Sequence, residues 1–292
     1  MKKIRVRKSY QNKEFLNSAI ARPVRLLAEL LDPQQKLSRE GIKDTVVFFG
    51  SARIKDKQTC ERNLKKLLSL QKKSNGDVRD LKKLIRDAKI DIQMSKYYEE
   101  AVELSKMITE WAHTLKEPLR LVVCSGGGPG IMEAANKGAY LAGGRSLGLN
   151  ISLPTDQKMN KYVTPELCFE FHYFFMRKFW FVYPAKAFIM FPGGFGTMDE
   201  LMEILTLVQT RKLKKKVVIL LYSSKFWKKI INFDELIRYR LISKEDLELF
   251  NFVDSPKEAF KILVDKLTAY YPLHMNSNSY CYSGENPNYE LE

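Results

Sequence analysis

The sequence is poor in the residues that build metal centres and disulfide frameworks. Its 292 residues include only three histidines and four cysteines. His113, His172 and His274 are scattered, and Cys60, Cys124, Cys168 and Cys281 stand far apart with no C-x-x-C pair. A zinc site and a disulfide scaffold are therefore not expected, and reduced thiols in the cytoplasm are the default. Long apolar runs are also missing. The greasiest stretch, Phe179 to Pro192, is broken by Pro184 and Lys186, and a membrane span needs about 20 apolar residues. Met1-Lys2-Lys3-Ile4-Arg5 opens basic without an apolar segment behind it, so no secretory leader and no membrane association are expected. Internal repeats and low-complexity segments are absent as well.

What the sequence has in excess is positive charge, with a formal net charge of +15. Six basic residues and no acid precede Glu14, and residues 55–96 carry thirteen basic residues against six acidic ones. A third cluster is Arg211-Lys212-Leu213-Lys214-Lys215-Lys216. These runs lack aromatic interleaving and any nucleic-acid-binding motif. They read as solvated helix faces, and no specific nucleic-acid partner is expected.

The apolar pattern implies alternating strands and helices. Asp44–Arg53 (DTVVFFGSAR), Leu119–Cys124, Arg145–Pro154, a short segment around Phe169 and Phe171, a run from Ala185 ending on the glycines at Gly193, and Lys215–Tyr222 read as strands, most of them buried on both faces. Helices are predicted over Arg22–Leu31, stopped by Asp32-Pro33, and over Tyr97–Leu115, Ile131–Ala142, Phe174–Tyr183 and Met198–Gln209. Everything from Tyr222 to about Tyr271 reads as helical. Leucines at helical spacing among lysines over residues 57–95 predict a charged αα-hairpin. The fold class is α/β: a doubly wound, mostly parallel, Rossmann-like sheet with an inserted helical hairpin. The expected organisation is a basic, loosely ordered arm at 1–20, one domain over 21–272 and a polar tail over 273–292.

Two glycine clusters follow strands and open helices, the place where an open α/β sheet binds its ligands. The first is Gly126-Gly127-Gly128-Pro129-Gly130. It is neither a G-x-G-x-x-G dinucleotide fingerprint nor a phosphate loop of the G-x-x-x-x-G-K-[ST] kind. The second, Phe191-Pro192-Gly193-Gly194-Phe195-Gly196-Thr197-Met198-Asp199-Glu200, offers bare backbone and a hydroxyl for a phosphate at a helix N-terminus. Asp199 and Glu200 fall in the first helical turn, where the dipole favours acids. They are equally well placed to meet the ribose of a nucleotide whose phosphate sits on the glycines. Glu203 and Thr206 follow on the face of Glu200. Arg177 and Lys178 lie inside an aromatic stretch, where cations are costly unless they meet an anion.

Together, SGGGPGIMEAANKGA, FMRK and PGGFGTMDE, in this order, closely resemble the Lonely Guy family. These are cytokinin riboside 5′-monophosphate phosphoribohydrolases, often mislabelled lysine decarboxylases. The spacing of Arg177 and Glu200 matches the family's, and VVFFGSAR and GGRSLGLNISLP match its longer bacterial members. The resemblance runs from about Arg22 to Tyr271. It implies hydrolysis of the N-glycosidic bond of a nucleoside 5′-monophosphate, a cytokinin nucleotide or AMP, with Arg177 and Glu200 as the catalytic pair. Gly193, Gly194, Phe195, Gly196 and Thr197 would hold the phosphate. Lys178, Met198, Asp199 and Thr206, together with Ser51, Gly126, Gly127 and Gly128, would line the substrate site. The resemblance further implies a homodimer or larger homo-oligomer, no metal and no organic cofactor, pyridoxal phosphate included. This chain departs from compact plant-type members in having Phe-Phe-Met before the Arg-Lys pair, Met-Asp inside the last motif, and the basic hairpin. The competing reading is a non-catalytic carrier of the same fold, holding a nucleotide or a molybdenum-cofactor-type anion.

Overall fold

A computed structural model describes residues 7–73, 79–115, 121–153 and 158–271. Seven parallel strands form one sheet in the order β4-β3-β2-β1-β5-β6-β7. They are β1 (Asp44–Phe49), β2 (Leu121–Ser125), β3 (Ser146–Ile151), β4 (Cys168–Phe171), β5 (Ala185–Met190), β6 (Val218–Tyr222) and β7 (Asn251–Val253). The α-helices are α1 (Lys13–Asn17), α2 (Arg22–Arg39), α3 (Lys57–Lys73), α4 (Arg79–Thr114), α5 (Ile131–Leu141), α6 (Phe174–Val182), α7 (Phe195–Gln209), α8 (Ser224–Ile230), α9 (Phe233–Arg238) and α10 (Pro256–Tyr270).

Both faces of the sheet are covered, which is why its strands read as unbroken apolar runs. Successive residues of a strand point to opposite faces. Val46 and Phe48 of β1 join the core under α4, α5 and α10. Val47 and Phe49 join the opposite core with Trp180 and Phe181 of α6 and Leu201 and Ile204 of α7. The order reverses between β1 and β5. From β1 the chain winds outward to β4, then returns to β5 and winds the other way. The loops after β1 and β5 therefore meet at the switch point, and the loop after β2 lies beside them.

Four elements differ from the sequence reading. Helix α2 does not stop at Asp32-Pro33 but runs to Arg39 with Pro33 inside it and buried. A proline in a helix interior removes the hydrogen bond to the carbonyl four residues back. That carbonyl, of Glu29, accepts instead from the indole Nε1–H of Trp180 at 3.0 Å, so tertiary packing makes the proline tolerable. Residues 79–114 are one helix of 36 residues, because no glycine or proline separates the hairpin's second arm from Tyr97. β7 lies where only helices were expected; at three residues and on the sheet edge it is too short to show a period. In the basic N-terminal arm, the described residues carry a 3₁₀ turn (Ser9–Gln11) and α1, and Arg25 donates to the carbonyls of Leu16 and Ser18. The polar tail lies outside the described residues.

Candidate functional site

The loop after β1 joins the two glycine loops. The Ser51 N–H donates to the Pro192 carbonyl at 3.1 Å, and the Ser51 carbonyl accepts from the Ile131 N–H, also at 3.1 Å. Its hydroxyl accepts from the Arg53 N–H. Ser51 thus holds the start of α5 and the loop before α7 in one rigid block.

The first glycine loop is braced by side chains that sequence reasoning did not single out. Ser125 Oγ donates to Asn136 Oδ1 at 2.7 Å and accepts from the Gly127 N–H at 3.0 Å. The Asn160 amide donates to the carbonyls of Gly127 and Gly128 and to Asn136 Oδ1, all within 3.0 Å. Asn136 is fully buried, and a buried amide must be hydrogen-bonded. Its place among the small and apolar positions Ala134, Ala135, Gly138 and Ala139 of α5 was the available clue; Asn160 gave none.

The second loop is built differently. Gly194 caps α7, and Phe195, Gly196 and Thr197 form its first turn. The N–H groups of a first turn have no partner within the helix, which leaves them for a ligand. Thr197 is buried against Gly193, and a Cβ at Gly193 would collide with its hydroxyl. By contrast, a Cβ at Gly194 or Gly196 would meet nothing within 4 Å. Phe195 projects from the loop, 93% exposed. Because the helix opens at Phe195 rather than Met198, Asp199 and Glu200 lie in its second turn and its first turn holds no acid. This corrects the sequence reading. The dipole effect fades beyond the first turn, so it does not explain why a carboxylate occupies position 200.

Helix α6 brings the cations in. Arg177 is only 8% exposed. Its Nε donates to the Leu149 carbonyl of β3 at 2.7 Å, and its guanidinium lies over the Phe181 ring at 4.9 Å. Nη1 stands 4.0 Å from Glu200 Oε1, and Nη2 packs so close to Gly126 that a Cβ there would lie only 2.5 Å from it. Arg177 therefore touches the first glycine loop and the carboxylate after the second. Burial pushes its pKa down despite Glu200. Burial also pushes the Glu200 carboxyl up to about 7, against the pull of Arg177. Lys178 lies on the neighbouring face, 2.8 Å from Asp199 and 3.0 Å from Glu203. Burial works against its charge, but those ion pairs win and hold the amine above its ordinary value.

The structure thus brings together Ser51, Gly126, Arg177, Gly193 to Thr197 and Glu200, with Lys178 and Asp199 beside them. Met198 is half-buried, and its N–H bonds back to the Gly194 carbonyl. Thr206 is not drawn in. It is exposed, its hydroxyl donates to the Met202 carbonyl of its own helix, and it lies about 9 Å further along the axis than Glu200. Among the described residues no group of three or more His, Cys, Asp or Glu side chains is placed to hold a metal ion. No helix among them is long and apolar enough to cross a membrane.

Arg177, Glu200 and the second loop all fall within residues 132–263, which match the family model described as possible lysine decarboxylase. The chain is 29% identical over 204 residues to a probable cytokinin riboside 5′-monophosphate phosphoribohydrolase of Oryza sativa subsp. japonica, covering 65% of this chain and 76% of that one. It is 32% identical over 110 residues to a cytokinin riboside 5′-monophosphate phosphoribohydrolase of Arabidopsis thaliana, covering 37% of this chain and 49% of that one. Among solved structures it is similar to the molybdenum cofactor carrier protein of Chlamydomonas reinhardtii. There the TM-score is 0.44 and the identity 16%, over 78% of this chain and 98% of that one. The molybdenum cofactor binding protein of Rippkaea orientalis gives a TM-score of 0.42 at 19% identity, over 59% of this chain and 88% of that one. The resemblance to the Lonely Guy family read from the motifs is borne out by these sequence relatives.

Proposed function

We propose that this chain hydrolyses the N-glycosidic bond of a nucleoside 5′-monophosphate, AMP or its N6-prenylated form, releasing the free base and ribose 5-phosphate. The observation that carries the proposal is the pairing of buried Arg177 with half-buried Glu200, 4.0 Å apart, beside an open helix N-terminus. In this reading the 5′-phosphate sits on the first-turn N–H groups of α7 and the Thr197 hydroxyl. Anchoring there leaves binding energy to be used at C1′. Cleavage of a ribosidic C–N bond passes through an oxocarbenium-like state, as glycoside hydrolysis does. Glu200, ionised, faces that developing positive charge and takes a proton from the attacking water. The water oxygen bonds to C1′, the C1′–N bond breaks with its electron pair on the base, and the base takes up a proton. Arg177 keeps part of the carboxylate population ionised in a dry site and supplies positive charge toward the bound anion. The exposed rings of Phe174 and Phe195 offer apolar surface for the base.

A pyridoxal-phosphate decarboxylase would need a lysine amine free to form an imine. Lys178, the lysine of this site, is instead tied to two carboxylates and held charged. The test is release of adenine or isopentenyladenine from the two monophosphates by the wild type and by Glu200→Gln. Base release that is lost in the variant supports hydrolysis. Tight nucleotide binding by the wild type without base release would sink it and favour a carrier.

A further inference from the structure

Helix α6 has nine residues and no cap of its own. Tyr173 occupies its N-cap position and its side chain makes no capping hydrogen bond. Phe171-His172-Tyr173-Phe174 offers no Ser, Thr, Asp or Asn to accept the first N–H groups, which are the residues that normally do so. A helix this short is marginal in isolation, yet it must deliver the Arg177 guanidinium to within 4.0 Å of Glu200.

Glu29 of α2 instead holds the two residues that lead into the helix. The Glu29 carboxylate accepts the His172 N–H at 2.8 Å on Oε1 and the Tyr173 N–H at 3.3 Å on Oε2. A carboxylate there also faces the positive end of the helix. The Glu29 carbonyl, left free by Pro33, accepts the Trp180 indole N–H at 3.0 Å near the other end of α6. One residue of α2 therefore grips α6 on both sides of Arg177. Two further contacts add to the grip: Arg25 Nε donates to the Tyr173 hydroxyl at 3.2 Å, and the Arg22 guanidinium lies 5.6 Å from the Tyr173 ring centre. The link to the site is short, because the Arg177 N–H itself bonds the Tyr173 carbonyl at 3.2 Å.

We propose that Glu29 is a positioning residue for the Arg177–Glu200 pair. It sets where α6 begins and how far Arg177 reaches across to Glu200. The proposal rests on the hydrolase reading for its kinetic consequence and on geometry alone for its electrostatic one. Glu29 and Pro33 lie upstream of residues 132–263, so the device comes from outside the stretch that matches the family model.

The test compares wild type with Glu29→Met, which keeps length and helix propensity but accepts nothing, and Glu29→Gln, whose amide oxygen still accepts. With AMP as substrate, Glu29→Met is expected to lower kcat about tenfold with KM changed less than threefold. It should also move the acid limb of the kcat/KM profile, because the pull of Arg177, which opposes the burial that raises the Glu200 carboxyl, weakens as the two separate. Glu29→Gln is expected to recover most of both. A lower melting temperature with kcat and the pH midpoint unchanged would overturn the proposal, since a merely structural residue behaves that way. If the wild type releases no base, the hydrolase reading falls. The positioning claim is then judged on the Glu200 titration midpoint, followed by carboxyl ¹³C NMR: a shift in Glu29→Met supports it and an unchanged midpoint refutes it. Should Glu29→Met not fold, Glu29→Asp, too short to span both N–H groups, gives the same two readouts.

Discussion

The two glycine loops look alike in sequence and differ in what surrounds them. In the first, the space beside the glycines is already filled by the protein. A Cβ at Gly130, where φ is +71°, would run into the Ser51 and Ala52 backbone, and one at Gly127, where φ is +70°, would run into Met159. In the second, Gly194 and Gly196 face open space. Glycine in the first loop answers a packing and dihedral demand, whereas at Gly194 and Gly196 of the second it leaves room for something the chain does not itself supply. Chemistry should therefore be sensitive at the second loop and stability at the first.

The largest expected effect belongs to the carboxylate behind the open loop. Glu200→Gln should lower base release from AMP by about 10²–10³-fold, the usual loss when an electrostatic group acting on the transition state is removed. Nucleotide affinity should change little. A variant that keeps more than a tenth of wild-type rate would place the chemistry elsewhere. The glycine pair comes next. Gly130→Ala should destabilise the fold by about 2–3 kcal/mol, through left-handed strain and collision with backbone, with the surviving folded protein still active. Gly194→Ala and Gly196→Ala should shift stability by no more than about 0.5 kcal/mol while weakening AMP binding about tenfold. Denaturant melts alongside KM values decide this, and equal stability losses at both loops would break the contrast.

Acidity sharpens it further. With the Glu200 carboxyl pushed up to about 7, its ionised form, and so kcat/KM, should rise with pH through about 7 and level off above it. Stability runs the other way. A carboxyl whose folded-state pKa is raised contributes stability that is complete below its unfolded value and is lost as pH rises through about 7. Melts taken from pH 4.5 to 8 should therefore slope downward more in the wild type than in Glu200→Gln. A rate profile flat across pH 6–8 would mean that Glu200 is not the titrating group.

Much of this was legible in the sequence because local signals agreed with the fold. Strands buried on both faces read as continuous apolar runs, and glycines at their ends marked the βα turns that gather at the switch point. Arg177 stood out as a cation inside an aromatic helix, and Glu200 as an acid after a phosphate-type loop. What was hidden is what depends on partners distant in the chain. Pro33 announced a helix end, and only Trp180, 147 positions on, makes its neighbour's free carbonyl acceptable. The start of α7 was misplaced by three residues because glycines were taken for loop, when Gly194 alone is the cap and Gly196 is already helical. Thr206 shared a helical face with Glu200 on a wheel but lies too far along the axis. Asn160 carried no signal, since its role is defined by carbonyls 32 and 33 positions before it.

Asn160 gives the smallest and most discriminating test. Its amide spans the Gly127 and Gly128 carbonyls and Asn136, so Asn160→Ala removes several donors from a braced loop. A typical hydrogen bond contributes about 1 kcal/mol net. The site is only part-buried, so water can replace some of what is lost, and a total near 1–2 kcal/mol is expected. Catalysis should barely move, because Arg177 is held independently by the Leu149 carbonyl and by its own helix. If Asn160→Ala instead lowers kcat tenfold with an unchanged melt, the first loop is shaping the reacting groups directly. The division between a loop that braces and a loop that binds would then have to give way to a single site in which Gly126, packed against the Arg177 guanidinium, is the hinge between them.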